Sequence, residues 1–395
     1  MHILYVNWKC FGTEDAIAAC KALGHEVTMI ELSDKSHTAL DWNFVEQLHA
    51  KIIEKKIDAV FSMNYFPTVS EACLMAECKY ISWLYDSPYV KLYCLNIINP
   101  CNYIFIFDSA TYQELAGKGI NTVYYAPCAA NTERLGSMKL TEQDRRRHTC
   151  DVSFVGSLYN EKHNFFDRLQ EKADEYLIGY LEGLMNSQIL IYGSNFLEQC
   201  LTEDIIKRIY NIMPYEIEEA SFATLPYVYA NYFLCRKITA MERMLTLTNL
   251  AETVPQEMGI HLYTKDTAAI IKNIHNKGPV DYYNEMPKIF KLSKINLNIT
   301  LKSIKSGIPL RGMDILGAGG FLLTNYQEDF LHHFEPDVDF VYYGSQEEMI
   351  DKVLFYQKHD KEREAIARSG HEKVAKYHTF EKRIQEMLAV ATGNH

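Results

Sequence analysis

The chain has 395 residues, 48% of them hydrophobic and 23% charged, which is enough for two domains with cores of ordinary size. A formal net charge of -11 argues against a nucleic-acid backbone as the main partner, because that binding needs a basic footprint. No uninterrupted apolar stretch approaches the ~20 residues of a membrane span. The opening MHILYVNW reads as a first strand rather than a secretory leader. The ten cysteines are scattered without a C-x-x-C pair. They read as reduced, buried thiols of a cytoplasmic protein.

The front of the chain alternates between short apolar runs and helical patterns. Strands are predicted at Ile3–Val6, His25–Leu32, Ile57–Met63, Tyr80–Tyr85, Tyr103–Phe107 and Thr122–Tyr125, with helices at Glu14–Leu23, Phe44–Lys55 and Thr68–Cys78 between the early ones. Such alternation indicates a parallel sheet with crossover helices. The reading is a Rossmann-like domain over residues 1–130. A polar stretch with the run Arg145-Arg146-Arg147 follows and reads as a linker over 131–150.

The pattern then restarts with a strand at Asp151–Val155 that ends in Gly156. Later strands are predicted at Gly259–Tyr263, Val280–Tyr283, Ile295–Ile299, Phe321–Thr324 and Asp339–Tyr342. The intervening helices fall at about Asn284–Lys291, Leu310–Ala318, Gln327–Phe334 and Gln346–His359. About a hundred residues, 157–258, separate the first two strands of this half. An ordinary crossover is far shorter, so the segment reads as a helical insertion, with helices at Asn164–Glu182 and Leu225–Ala251 and an ambiguous run at Gln188–Tyr192. The second domain spans 151–378, and residues 379–395 form a closing helix. The fold class is α/β, with two doubly wound parallel-sheet domains facing across a cleft.

Ligands of such sheets bind outside the carboxyl ends of the strands, so the chemistry is sought just after strands. The segment from Leu301 to Asp314 combines Lys302, Lys305 and Arg311 with Gly307 and leads into a predicted helix. A glycine loop entering a helix presents backbone N–H groups and the positive end of the dipole. Lys305 and Arg311 suit a diphosphate, Arg as a bidentate donor, and Asp314 suits a pair of ribose hydroxyls. A solvated basic loop is the competing reading. Gly156 lets a phosphate approach the backbone at a strand end. The later Gly317, Gly319 and Gly320 point to close helix–sheet packing. In the front half, Asp86 of WLYDSP follows a strand, as an acceptor's general base or as an Asx turn before Pro88. Asp108-Ser109 reads as a helix N-cap. No H-E-x-x-H, G-x-S-x-G or G-K-[ST] motif is present, and nothing in the sequence requires a metal.

From Asp151 to about Leu388 the sequence resembles the glycosyltransferase-like proteins related to the spore-maturation protein CgeB. The resemblance rests on VSFVGSLY (152–159), SKINLNIT (293–300), SGIPLRGMDILGAGGFLLTNYQEDF (306–330), VDFVYYGSQEEMIDKV (338–353) and the closing YHTFEKR. WLYDSP and YYAPCAAN resemble the N-terminal domain that accompanies this unit. The resemblance implies a GT-B fold, with a nucleotide-sugar donor (a UDP-, GDP- or dTDP-sugar) in the C-terminal domain. It also implies an acceptor, protein or glycan, on the N-terminal domain, and a final helix crossing back to that domain. Many retaining members of the superfamily carry Glu-x7-Glu. Here the two positions hold Ser306 and Asp314, so the first carboxylate is replaced.

The expected activity is transfer of a sugar to an acceptor hydroxyl without a metal or cofactor. Gly156, Asn298, Lys305, Ser306, Gly307, Arg311 and Asp314 form the donor site, and Asp86 the acceptor side. A nucleotide-sugar epimerase and a non-catalytic nucleotide-sugar-binding member of a surface-assembly pathway are the alternatives.

Overall fold

The computed structural model describes residues 1–37, 39–160, 164–266 and 270–393. Residues 161–163 of the expected insertion and 394–395 of the expected closing helix lie outside these. The chain forms two compact units. Unit 1 comprises Met1–Asn131, Ile217–Ala223 and Tyr377–His395, and unit 2 comprises Thr132–Glu216 and Thr224–Lys376.

Unit 1 is built on six strands: β1 (His2–Asn7), β2 (Glu26–Glu31), β3 (Ala59–Met63), β4 (Lys79–Trp83), β5 (Asn102–Ile106) and β6 (Val123–Tyr125). They pair in parallel in the order β2-β1-β3-β4-β5-β6. Every residue of β3 is buried, as a central strand covered on both faces requires, whereas edge strand β2 is half exposed. Four helices follow the early strands: α1 (Thr13–Ala22), α2 (Trp42–Lys55), α3 (Pro67–Met75) and α4 (Ser109–Gly117). The last opens where the Asp108 carboxylate accepts from Thr111 N at 2.8 Å, the cap expected from sequence.

In unit 2, residues expected as a linker instead form α5 (Thr132–Ser137) and α6 (Glu142–His148). A capping box between Thr141 and Asp144 starts α6, and Arg145, Arg146 and Arg147 occupy its last turn, where cations suit the dipole. Arg147 also pairs with Glu285 at 3.0 Å. Next come β7 (Cys150–Val155) and the insertion, which holds α7 (Phe165–Gln170), α8 (Glu175–Ile189), α9 (Leu197–Cys200), α10 (Glu203–Ile212), α11 (Leu225–Val228), a π-helical turn (Tyr229–Leu234) and α12 (Cys235–Thr253). The predicted helix over 164–182 is split because the Asp174 carboxylate accepts from Leu177 N at 2.8 Å and caps a new helix. The ambiguous run at 188–192 is the end of α8 and the loop after it. The insertion has its own core, which includes Phe165, Leu181, Ile205, Tyr229 and Ile238.

The remaining strands are β8 (Ile260–Tyr263), β9 (His275–Asn276), β10 (Ser293–Asn298), β11 (Leu322–Asn325) and β12 (Val341–Tyr343), with helices α13 (Met286–Leu292), α14 (Leu310–Gly317), α15 (Glu328–His333), α16 (Gln346–Lys358) and α17 (Asp360–Tyr377). The sheet order is β12-β11-β10-β7-β8-β9, with all pairs parallel. The strand predicted at Val280–Tyr283 does not form. Asp281 accepts from Asn284 N at 2.7 Å and folds the run into a turn. Gly320 has no room for a side chain, since a Cβ there would lie 2.7 Å from Asn296 Nδ2 and 2.8 Å from the Phe290 carbonyl.

The last helix, α18 (Phe380–Thr392), belongs to unit 1. Its Phe380, Ile384 and Met387 are buried in one cluster with Tyr5, Phe61, Ile81 and Trp83. The rings of Phe380 and Trp83 meet edge to face at 5.4 Å.

Candidate functional site

In unit 2 the chain leaves β7 toward β8 on one side and later returns to β10 on the other. The carboxyl ends of β7 and β10 are therefore a topological switch point, where an open parallel sheet offers its crevice. Two arginines reach this point. Arg311, in the first turn of α14, donates through Nη1 to the Val155 carbonyl at the end of β7. Arg243, in α12, donates through Nη1 to the Ser157 carbonyl and through Nη2 to the Ile299 carbonyl at 2.6 Å. The step from β7 to β8 runs toward one edge of the sheet and the step from β10 to β11 toward the other. Right-handed crossovers thus put α12 and α14 on opposite faces, and the two guanidinium groups converge on one strand end.

These cations are expensive. Arg243 is 8% exposed, and the Nε atoms of both are buried without a hydrogen-bond partner among the described residues. Burial pushes both guanidinium pKa values down. The hydrogen bonds they do make go to neutral carbonyls, which compensate a buried charge poorly. Arg243 also lies over the Phe154 and Tyr159 rings at 5.3 and 4.9 Å. Gly156 lies beside Arg243: a Cβ on it would come 3.7 Å from Arg243 Nη1 and 3.4 Å from the Phe154 ring, ordinary contact distances that make no steric demand for a glycine.

The other predicted donor residues fall nearby with different local roles. Asp314 lies one turn into α14, 4% exposed, and accepts from the Tyr282 hydroxyl at 3.0 Å. Its charge raises the Arg311 pKa against the effect of burial, so it serves Arg311 as counter-charge. Asn298, at the end of β10, spends its amide donors on the hydroxyls of Thr324 (2.9 Å) and Thr300 (3.1 Å). Ser306 and Gly307 are buried in the loop before α14, and the Ser306 carbonyl accepts from Asp329 N at 3.0 Å. The N-cap of α14 is Pro309, which has no side-chain cap. The first turn of a helix has N–H groups without intrahelical partners. Lys305 lines a pocket at the carboxyl ends of β10 and β11, with Tyr192 and Lys302.

Sequence reasoning passed over Arg243 and Glu242, the buried partner of Lys302. Lys302 Nζ lies 3.3 Å from Glu242 Oε1 and 4.1 Å from the centre of the Tyr192 ring. Burial raises the Glu242 pKa, opposed by Lys302, and burial lowers that of Lys302, opposed by Glu242. Glu242 and Arg243 sit in the interior of a long helix far from any glycine loop. Only their charge within a helix that begins on a π-helical turn, a feature frequent at functional sites, sets them apart.

Unit 1 has its own switch point, between β1 and β3. Asp86 follows β4, the strand on the far side of β3. Asn64, just after β3 and at φ 58°, donates through Nδ2 to Asp86 Oδ2 at 2.6 Å and accepts from Tyr85 N at 3.2 Å. Burial raises the Asp86 pKa, and the Asn64 hydrogen bond opposes that rise. Trp8, just after β1, donates to the Met63 carbonyl at 2.7 Å, with its ring near parallel to that of Tyr85 at 6.3 Å. Asn64 and Trp8 were not singled out from sequence; their positions directly after strands are the signal that was available. Among the described residues no group of three or more His, Cys, Asp or Glu side chains is placed to hold a metal ion, and no helix is long and apolar enough to cross a membrane.

Residues 243–389 match the family described as glycosyl transferase-like, a span that opens at Arg243 and takes in Asn298, Lys305, Arg311 and Asp314. The matched span covers a little over a third of the chain, all of it in its C-terminal part. No curated protein sequence matches it. Among solved structures, it is similar to Anabaena HepE in complex with UDP and glucose, at 9% identity over 100% of both chains and a TM-score of 0.56. It is equally similar to the sucrose-phosphate synthase of Thermosynechococcus elongatus, at 9% identity over 100% of this chain and 98% of that one, with a TM-score of 0.56. A glycosyltransferase from Rickettsia africae aligns at 9% identity over 99% and 98% of the two chains, with a TM-score of 0.54. At such identities the likeness is one of fold, and the fold is GT-B. The span that matches the glycosyl transferase-like family thus falls on the half of the chain whose sheet end gathers the two arginines.

Proposed function

We propose that this protein transfers a sugar from a nucleotide-sugar donor to an acceptor hydroxyl on a protein or glycan, and that it is a CgeB-like member of its superfamily. The observation that carries the reading is the convergence of Arg243 and Arg311 on the switch point of unit 2, one buried and one partly buried cation whose hydrogen bonds go to neutral carbonyls. A diphosphate adds negative charge to that which Asp314 brings to Arg311 and Glu242 to Arg243. The Anabaena protein, which shares the fold, is described in complex with UDP and glucose and with UDP-glucose.

In this mechanism the donor diphosphate lies between Gly156 and the Lys305–Arg311 loop, against the first turn of α14. The bond from the anomeric carbon to the diphosphate oxygen breaks as the acceptor oxygen bonds that carbon. Arg243 and Arg311 stabilise the charge that grows on the leaving diphosphate, the kind of preorganised electrostatics that is often the largest catalytic contribution. They do so without a divalent ion, so the reaction is metal-independent. Asp86 accepts the proton of the acceptor hydroxyl, and Asn64 fixes its orientation. Lys305, Ser306 and Gly307 form the phosphate-side loop, and Asp314 sets the position of Arg311 beside the ribose.

A thermal-shift panel of UDP-, GDP- and dTDP-sugars, with and without magnesium, tests this, because a ligand of the native state raises its melting temperature. One nucleotide class should stabilise the protein equally with and without magnesium, and Arg311→Ala should abolish the shift while leaving a folded protein. A shift that Arg311→Ala preserves overturns the diphosphate site. Binding without turnover on any acceptor favours the non-catalytic reading, to which Ser306 at the position of the missing carboxylate gives weight.

A further inference from the structure

The pocket beside the phosphate loop has one wall that the sheet does not supply. The loops after β10 and β11 provide Lys305, Tyr326 and Gln327, and the insertion provides the segment from Tyr192 to Asn195 between α8 and α9. We infer that this segment is the donor-specificity loop, forming with Tyr326 and Gln327 the compartment for the glycosyl half of a nucleoside-diphosphate sugar. The inference rests on the nucleotide-sugar reading above and assigns the insertion a task within it.

Three observations carry it. The first is position: the pocket ends at Lys305, and Ser306, Gly307 and the first turn of α14 follow directly along the chain. A donor whose diphosphate sits at that turn extends its sugar into the neighbouring space.

The second is rigidity. Gln188, 1% exposed, donates through Nε2 to the Ser194 carbonyl at 2.7 Å and accepts from Phe196 N at 3.1 Å, clamping both ends of the loop's tip. Asn195 accepts from Leu197 N at 3.1 Å and donates to the Lys302 carbonyl at 3.3 Å, tying the loop to the strand-end segment across the pocket. Gly193, at φ 73°, lies so close to Tyr326 that a Cβ would sit 2.6 Å from the ring. The loop is therefore shaped before any ligand arrives, as a selective pocket must be.

The third is charge. Lys302 reaches the pocket, but its ammonium is committed to Glu242 at 3.3 Å and to the Tyr192 ring. What the insertion side offers is hydroxyl and aromatic surface from Ser194 and Tyr192, since the Asn195 amide donates to Cys235 Sγ and the Lys302 carbonyl. That chemistry fits a neutral, hydroxyl-rich hexose. A site built to pair hydroxyl groups rejects analogues that lack them, because its own polar groups are then left unpaired.

The test is calorimetry on the full chain with UDP, GDP and dTDP, each free and as its glucose conjugate, for the parent protein, Ser194→Trp and Tyr326→Ala. Ser194→Trp fills the pocket from the insertion side and Tyr326→Ala opens it from the other. For the nucleotide the parent binds, both variants should weaken the glucose conjugate about tenfold or more and leave the free diphosphate within about twofold. If free and conjugated ligands weaken together, or neither weakens, the loop does not read the sugar. If the parent binds none of the six, the nucleotide-sugar reading itself falls.

Discussion

Arg243 and Arg311 hold consecutive stretches of the same strand end. Arg311 bonds the Val155 carbonyl, and Arg243 bonds the Ser157 carbonyl two residues on, as well as Ile299 at the end of the neighbouring strand. A planar fork with donors on separate nitrogens can keep one carbonyl and turn another N–H to a ligand in fixed geometry, whereas a lysine offers its donors from a single nitrogen. Arg243→Lys and Arg311→Lys should each weaken nucleotide-sugar binding by about tenfold or more. The double variant should lose less than the product of the two, because both serve one diphosphate. Isothermal titration on folded variants checks this. A fall in melting temperature with unchanged affinity would make the pair purely structural.

Asp86 gives a prediction on rate rather than binding. Asp86→Asn keeps the shape and removes the base, so kcat should fall by about 10²–10⁴-fold while donor affinity holds. The ionised carboxylate is the active form, and burial has raised its pKa. Activity should therefore decline, on acidification, at a higher pH than an ordinary aspartate would give. Asn64→Gly suits the positive φ and removes the amide that favours the ionised form. It should move the acidic limb of the pH–rate profile further toward neutrality.

Gly320 offers a packing test far from any ligand. A methyl group there meets a backbone carbonyl and the Asn296 amide at less than 3 Å. The amide is itself bound to the Phe290 and Phe321 carbonyls. Gly320→Ala should cost about 1–3 kcal/mol, read as a lower denaturant midpoint at unchanged slope.

Asp339 predicts the response to acid. Burial alone would raise its pKa, but Lys373 at 2.7 Å, the Glu335 N–H at 2.8 Å and the Ser369 hydroxyl at 2.7 Å hold it below the usual carboxylate range. A depressed folded-state pKa adds stability that is present above the unfolded value, about 3.9, and is lost as pH falls through the folded one. Asp339→Asn should thus destabilise the protein at neutral pH, and the gap to the parent should close in acid below about pH 4. Urea melts at several pH values would show a constant gap if the carboxylate charge were irrelevant.

The strands were legible because their apolar runs are short and separated by helical periodicity; β3, β4, β7 and β10 fall within a few residues of their expected bounds. Val280–Tyr283 was misread because an apolar–aromatic run looks the same whether it pairs or turns, and the Asp281 side chain decides that only through its contact with Asn284. The polar run 131–150 was misread because a short capped helix and a linker share a composition. In the site, Arg311 and Gly156 were visible as residues at strand or helix ends. Arg243 was not, since nothing local marks a helix-interior arginine until a hundred-residue insertion folds back to the strand it left. Asn298 and Asp314 were found by position, but their partners Thr300, Thr324 and Tyr282 come from loops and strands whose proximity is set only by the folded sheet.

The placement of α18 has a consequence for biosynthesis. Phe380, Ile384 and Met387 complete the core that Tyr5, Phe61 and Trp83 begin. When the first six strands emerge from the ribosome, the residues that seal their apolar surface are still more than two hundred codons away. The nascent N-terminal sheet must wait with part of its core open, the condition under which a growing chain is most exposed to aggregation and to chaperones. A nonsense or frameshift lesion near codon 380 would thus strike the oldest part of the molecule, and a fragment ending at Asn131 should be insoluble although it contains every strand of its sheet.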